Sequence, residues 1–313
     1  MSDTLKVPVL ITGGRGMLGD AFVREAHAYP RFDVRALGRD ELDVREAAAF
    51  APHAEWVRGG WVVHCAATVD VEGCARDPDA ARATIVDGTR NAATFAQANG
   101  ARLFYPQSFL TYDGATNPIP EDEAPRPLSL YGDMKLEAER VVDATCTDAL
   151  VVVMAGFFGG EAGDKNFVGR ILPAMARARA AGDTVFKVGD RVWQPTWTAD
   201  LAANSWLLIA SGAKGRFQMG AHGQNGADGG ATFHDVAFEA ARALGWTDLS
   251  VERVSAAAVA SSEVDATRRP DRAVLSGTRL AAETLDIQRD WRATLHAYLT
   301  HPFFDRYRAG ARP

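Results

Sequence analysis

A short apolar strand, Val7 to Thr12, runs straight into Gly13-Gly14-Arg15-Gly16-Met17-Leu18-Gly19, and helical periodicity follows from Met17 to Tyr29. Strand, G-x-G-x-x-G turn and helix in immediate succession form a unit with one well-defined use. The glycines let the backbone approach a pyrophosphate, and the helix N-terminus faces its charge. Gly13, Gly16, Met17, Leu18 and Gly19 are therefore candidate cofactor-binding residues. Such a unit stands on a parallel sheet, and the first half of the chain has the pattern for one. Strand-like runs at Phe32 to Leu37, Trp61 to Ala66, Arg102 to Pro106 and Leu150 to Ala155 alternate with helical runs at Arg45 to Arg58, Asp79 to Asn99 and Ser129 to Asp143. Strict alternation predicts an α/β fold, a Rossmann-type doubly wound parallel sheet with helices on both faces. Ligands of these sheets gather at the carboxyl ends of the strands. The glycine turn, the loop from Ala66 to Cys74, and Ser108 all fall there.

After Phe158 the rhythm breaks. A glycine-rich GGEAGDKNF segment, a helix from Val168 to Ala181 and a short strand from Val185 to Val188 come first. A helix from Thr198 to Ser211 and a strand from Arg216 to Met219 then have the pattern to rejoin the main sheet. The segment GAHGQNGADGG reads as a flexible connector to a helix starting near Thr232. The expected division is 1–160 as an NAD(P)-binding domain with 184–219 returning to it, and 161–183 with 220–313 as a smaller, discontinuous C-terminal substrate-binding region.

The 313 residues carry a formal net charge of −6, which argues against nucleic acid or an anionic membrane as partner, since both call for concentrated Lys and Arg. A small-molecule substrate is the expected partner, and a homodimer is compatible with the chain. Cys65, Cys74 and Cys146 form no C-x-x-C pair, and His53, His64, His222, His234 and His296 are scattered without ligand spacing, so neither a disulfide framework nor a metal site is expected. The sequence opens without a charged-then-apolar signal, and its longest apolar run, Leu150 to Phe158, is about half a membrane span. A cytoplasmic protein is the expectation.

Tyr131 and Lys135 share one helix face at spacing i, i+4, downstream of Ser108. Reducing a ketone places negative charge on its oxygen, so the site needs donors aimed there and one transferable proton. Tyr131 suits the acid, Lys135 a neighbour that lowers the phenol pKa, and Ser108 the oxyanion donor. For the cofactor, NAD sites commonly end the second strand with an acid for the ribose hydroxyls, whereas this chain has Leu37-Gly38-Arg39. An arginine there receives a 2′-phosphate, so NADP(H) is favoured over NAD(H). Asp43 is a candidate acceptor for the adenine amino group.

Together these residues resemble an extended short-chain dehydrogenase/reductase and, within that superfamily, the dTDP-4-dehydrorhamnose reductase family. The likeness runs through GGRGMLG, ELDV, HCAATVDVEGCARDP, SFLTYDG, YGDMKLEAE, GGEAGDKNF, PTWTADLA and RRPDRAVL, in that order. It implies hydride transfer from NADPH or NADH to the C4 keto group of a nucleotide-linked 6-deoxy sugar. By motif, Ala66 and Ala67 would line the cofactor groove, Asp43 and Val44 would lie at the cofactor through the ELDV segment, and Asn166 and Arg269 would be near the sugar nucleotide. An NDP-sugar epimerase, a reductase of another carbonyl compound and a nonenzymatic NADP-binding regulatory subunit remain open. Three motifs depart from the family pattern. The family's NAAAYT reads here from His64 to Val69; its R-x-x-W-x-Y-G becomes Met154-Ala155-Gly156-Phe157-Phe158-Gly159; its DQ-x-G-x-PT becomes Asp190-Arg191-Val192-Trp193-Gln194-Pro195-Thr196. Val69, Phe157, Arg191 and Trp193 are thus expected to reshape the sugar pocket.

Overall fold

The computed structural model describes residues 6–259 and 267–308. Its centre is a six-stranded sheet built from β1 (Val7–Thr12), β2 (Phe32–Leu37), β3 (Trp61–His64), β4 (Arg102–Ser108), β5 (Leu150–Met154) and β6 (Gly215–Met219). The order across the sheet is β6-β5-β4-β3-β1-β2, and every pair is parallel. The chain runs from β1 out to β2 at one edge, then crosses back to β3 on the other side of β1. That reversal is the switch point at which an open parallel sheet holds its ligands.

Side chains along a strand alternate between faces, and the core divides accordingly. Leu10, Val62, Leu103 and Val151 point one way, under helices α2 (Gly88–Ala98) and α3 (Leu130–Thr145). Val9, Ile11, Val63, Phe104, Val152 and Phe217 point the other way, under α1 (Met17–Glu25) and α5 (Thr198–Ser211). Between them in sequence, α4 (Phe167–Ala180) joins α6 (Phe233–Ala243) and α7 (Trp291–Leu299) in a separate cluster around Leu172, Met175, Val236, Ala240, Trp291 and Leu295. Helix α6 begins at a capping box in which Thr232 and Asp235 satisfy each other's backbone amides.

The outcome differs from the sequence pattern in three places. Residues 45–58 form no single helix: a 3₁₀ stretch over Ala47–His53 gives way to one α-turn at Ala54–Val57, because Pro52 has no amide to continue an α-helical ladder. The helix expected from Asp79 to Asn99 contains a wide turn at Ala83–Asp87 before α2. The strand Val185–Gly189 pairs in parallel with Ser250–Val254, away from the main sheet. Only α5 and β6 of the 184–219 stretch therefore rejoin the dinucleotide-type sheet. Among the described residues no helix is long and apolar enough to cross a membrane.

Candidate active site

Gly13 follows β1 with φ +66, a conformation costly for residues with a Cβ, and a Cβ there would fall 2.7 Å from the Ala66 amide nitrogen. The turn closes with Gly16 N–H donating to Gly13 O at 2.9 Å and Gly14 N–H to Leu37 O at 2.9 Å. Helix α1 starts at Gly16, where no side chain caps it, so the first-turn amides of Met17 and Leu18 are left for a ligand. Gly16, Met17, Leu18 and Gly19 border a cavity of about 1040 Å³ that Ala66 and Ala67 also line. A glycine cradle, an uncapped helix N-terminus and the sheet's switch point fit a dinucleotide.

The same cavity holds Ser108, Tyr131 and Lys135. Ser108 ends β4; Tyr131 and Lys135 lie in the first turns of α3, whose N-cap Ser129 Oγ accepts from Gly132 N–H at 3.2 Å. Burial pushes the Tyr131 phenol up to about 12, against a smaller lowering by the neighbouring Ser108. Lys135 behaves differently from the sequence expectation. Its Nζ donates to Pro106 O at 2.8 Å and sits 4.0 Å over the Tyr105 ring, and burial pulls its pKa down to about 7. The lysine therefore does not acidify Tyr131 in this arrangement: the i, i+4 spacing sets the face, but the long side chain reaches past the phenol to the end of β4.

A consequence can be measured. Lys135 binds a proton in the unfolded chain up to its ordinary range near 10.5, whereas in the fold it releases it near 7. Between those limits the unfolded state carries more protons, so this group adds stability as pH rises from about 7 towards about 10. Thermal melts of cofactor-free parent and Lys135→Met across that window should show the parent gaining on the variant with rising pH; parallel curves would refute it.

Gln107, which sequence reading did not single out, braces the triple. Its Nε2 donates to Lys135 O at 3.0 Å and to Glu139 Oε2 at 2.6 Å, while its Oε1 accepts from Ser108 N–H at 2.8 Å. A buried amide joining the end of β4 to α3 fixes Ser108 relative to Lys135. Its only sequence signal is a polar residue inside an otherwise apolar strand.

At the second strand's end the structure redistributes the roles. Arg39 has a 72% exposed side chain 3.8 Å from Asp43 and does not border the cavity. Arg15, inside the glycine turn, does border it, lies on Gly38, and pairs with Asp40 and Glu41 at 3.5 and 3.1 Å. Asp43 is held by the Arg45 guanidinium, which keeps its carboxyl down to about 2. Val44 is a core residue facing Gly88, with its carbonyl accepting from Asn91. Neither Asp43 nor Val44 lines the cavity. His64 is buried, 2.9 Å from the Thr12 hydroxyl, and kept neutral by a pKa pushed down to about 3 by burial.

The residues expected at the substrate do border the cavity: Val69, Asn166, Arg191, Trp193 and Arg269. Asn166 precedes α4 and donates through Nδ2 to Phe157 O at 2.9 Å. Arg269 donates to Glu72 at 2.6 Å, and Arg191 lies 3.6 Å from Asp271. Trp193 is buried against Gly156, with Phe167 and Phe233 meeting its ring edge-on at 5.9 and 5.6 Å. Lys165 and Arg170, unforeseen from sequence, add positive charge to the cavity and have no ion-pair partner among the described residues.

The family described as RmlD substrate binding domain matches residues 7–303. A dTDP-4-dehydrorhamnose reductase of Streptomyces griseus is 34% identical over 293 residues, covering 91% of either chain. A probable dTDP-4,6-dihydroxy-2-methyloxan-3-one 4-ketoreductase of Streptomyces antibioticus is 33% identical over 288 residues, covering 91% of this chain and 92% of its own. Among solved structures, a dTDP-4-dehydrorhamnose reductase of Clostridium acetobutylicum superposes with a TM-score of 0.83 at 27% identity, covering 94% of this chain and 99% of the other.

Proposed function

The chain belongs to the RmlD substrate-binding-domain family, the dTDP-4-dehydrorhamnose reductase family of extended short-chain dehydrogenases/reductases, and on that premise we propose that it is an NADPH-dependent reductase of a 4-keto group on a nucleotide-linked deoxy sugar. One observation carries the reading. Ser108 and Tyr131 border the same cavity as the uncapped start of α1, so a proton donor and a dinucleotide cradle share one space. NADPH bound there would supply hydride to the carbonyl carbon. Tyr131 gives its proton to the carbonyl oxygen, and Ser108 holds that oxygen through its hydroxyl. Lys135, within reach of the cavity, is placed to bind ribose hydroxyls, and Gln107 keeps Ser108 and α3 in register. Lys165 and Arg170 offer their charge to a substrate diphosphate that a chain of net charge −6 would otherwise repel. Residues 161–183 and 220–313 contribute Lys165, Asn166, Arg170, Phe233 and Arg269 to the substrate side of the cavity, beside Val69, Phe157, Arg191 and Trp193.

The test is NADPH oxidation against dTDP-, UDP- and GDP-linked 4-keto sugars. Turnover of at least one supports the reading, and activity on none removes it. Cofactor choice has its own test. A bidentate, charge-assisted contact contributes roughly 1.5 to 3 kcal/mol, about ten- to a hundredfold in affinity. Since Arg15 borders the cavity and Arg39 does not, Arg15→Ala is expected to lower the NADPH/NADH affinity ratio by that factor and Arg39→Ala by much less. Titration of both cofactors into both variants decides it; an unchanged ratio in Arg15→Ala would assign the preference elsewhere.

A further inference from the structure

Gly156 is a glycine for steric reasons. Its φ is not in the left-handed region, yet a Cβ there would lie 2.4 Å from Trp193 Cε3 and 3.0 Å from Cζ3, with Phe109 next at 3.4 Å. The indole thus occupies the volume of a side chain at position 156, directly beyond β5 and against the residue that follows Ser108. Set beside the family motifs, the tryptophan of R-x-x-W-x-Y-G falls on Gly156 and the glycine of DQ-x-G-x-PT falls on Trp193.

The wall made this way is poor in hydrogen bonds. Val69, Phe109, Phe157, Phe167, Trp193 and Phe233 all border the cavity. Asn166 Nδ2 is committed to Phe157 O, Arg269 to Glu72, and Asp70 to Arg76. Trp193 Nε1 is buried with no acceptor among the described residues, so it is shielded from the cavity and offers nothing to a sugar hydroxyl. A ring hydroxyl brought against these side chains gives up its water without a replacement partner.

Resting on the function proposed above, we propose that Trp193, seated by Gly156, makes this enzyme select keto sugars that lack a ring hydroxyl beside the reacting carbon's aromatic wall, that is, more extensively deoxygenated nucleotide sugars. An apolar pocket rejects an added hydroxyl by up to about a hundredfold. The probes are dTDP-4-keto-6-deoxyglucose and its 3-deoxy counterpart, which lacks the hydroxyl next to the reacting carbon, each with NADPH. The parent is expected to favour the 3-deoxy sugar in kcat/KM by roughly ten- to a hundredfold. Trp193→Gly should bring the two within about threefold by opening the wall to water. Gly156→Ala, which displaces the indole without removing it, should narrow the gap as well, and Trp193→Phe, which keeps an apolar ring, should preserve it. Thermal melts and NADPH titration show which variants fold; should Trp193→Gly fail to fold, Gly156→Ala against Trp193→Phe makes the same comparison. Equal turnover of both sugars by the parent, or a preference unmoved in Gly156→Ala, overturns this inference while leaving the reductase assignment standing. Turnover of neither sugar, nor of any in the wider panel, removes the reductase assignment and this inference with it.

Discussion

Tyr131→Phe is expected to lower turnover by roughly 10² to 10⁴-fold, the usual contribution of a general acid, while NADPH still binds. The ring is buried in the cluster that includes Leu110 and Met134, so Phe keeps the packing. What disappears is the hydroxyl and its transferable proton. Single-turnover NADPH oxidation measures the chemical step, and fluorescence titration measures binding separately. A variant within about threefold of the parent in the chemical step, far short of a general acid's contribution, would remove Tyr131 from that role.

With its pKa pushed up to about 12 by burial, the phenol is protonated throughout the neutral range. Lys135 is turned towards Pro106 O and not towards the phenol.

The parallel sheet was legible because its β1, β3 and β5 strands are apolar runs and the alternation of strand and helix frames the rest. Strand β1, buried from Val9 to Ile11, and strand β5, buried throughout, stand where those runs predicted them. The placement of the candidate triple was legible for a related reason: Ser108 ends a strand, and Tyr131 with Lys135 sits just inside a helix, positions that local pattern identifies. What local pattern cannot supply is direction over distance. Whether Arg15 or Arg39 reaches the cavity depends on how Gly38 lets the Arg15 side chain lie across it. The fate of Val44 was set by a contact with Gly88, more than forty residues away in the chain, and that of Lys135 by the carbonyl of Pro106 on a neighbouring strand. The strand Val185–Gly189 likewise chose Ser250–Val254, a partner with an alternation too exposed to stand out in sequence. The seating of Trp193 in the space above Gly156 belongs to the same class, since each departure alone looks like a lost or gained aromatic.

Gly19→Ala is expected to abolish useful NADPH binding. The added Cβ would lie 2.3 Å from Gly13 O and 2.9 Å from Gly14 Cα, both backbone atoms, so no side chain can turn aside to admit it. Those atoms are also pinned: Gly16 N–H holds Gly13 O at 2.9 Å, Gly14 N–H is tied to Leu37 O, and Asp20 N–H closes the first turn of α1 on Gly16 O at 2.8 Å. Either the helix lifts from the turn or the turn opens, and both movements displace the amides of Met17 and Leu18. A phosphate draws roughly 1.5 to 3 kcal/mol from each charge-assisted hydrogen bond, so losing two weakens binding by about 10² to 10⁴-fold. Gly163→Ala, where a Cβ meets nothing within 4 Å, serves as the control and should bind like the parent. Fluorescence titration gives the affinities, and a thermal melt on each variant separates a displaced cradle from a lost fold. If folded Gly19→Ala binds NADPH as the parent does, the contact between α1 and the turn is packing alone, and the phosphates lie elsewhere in the cavity.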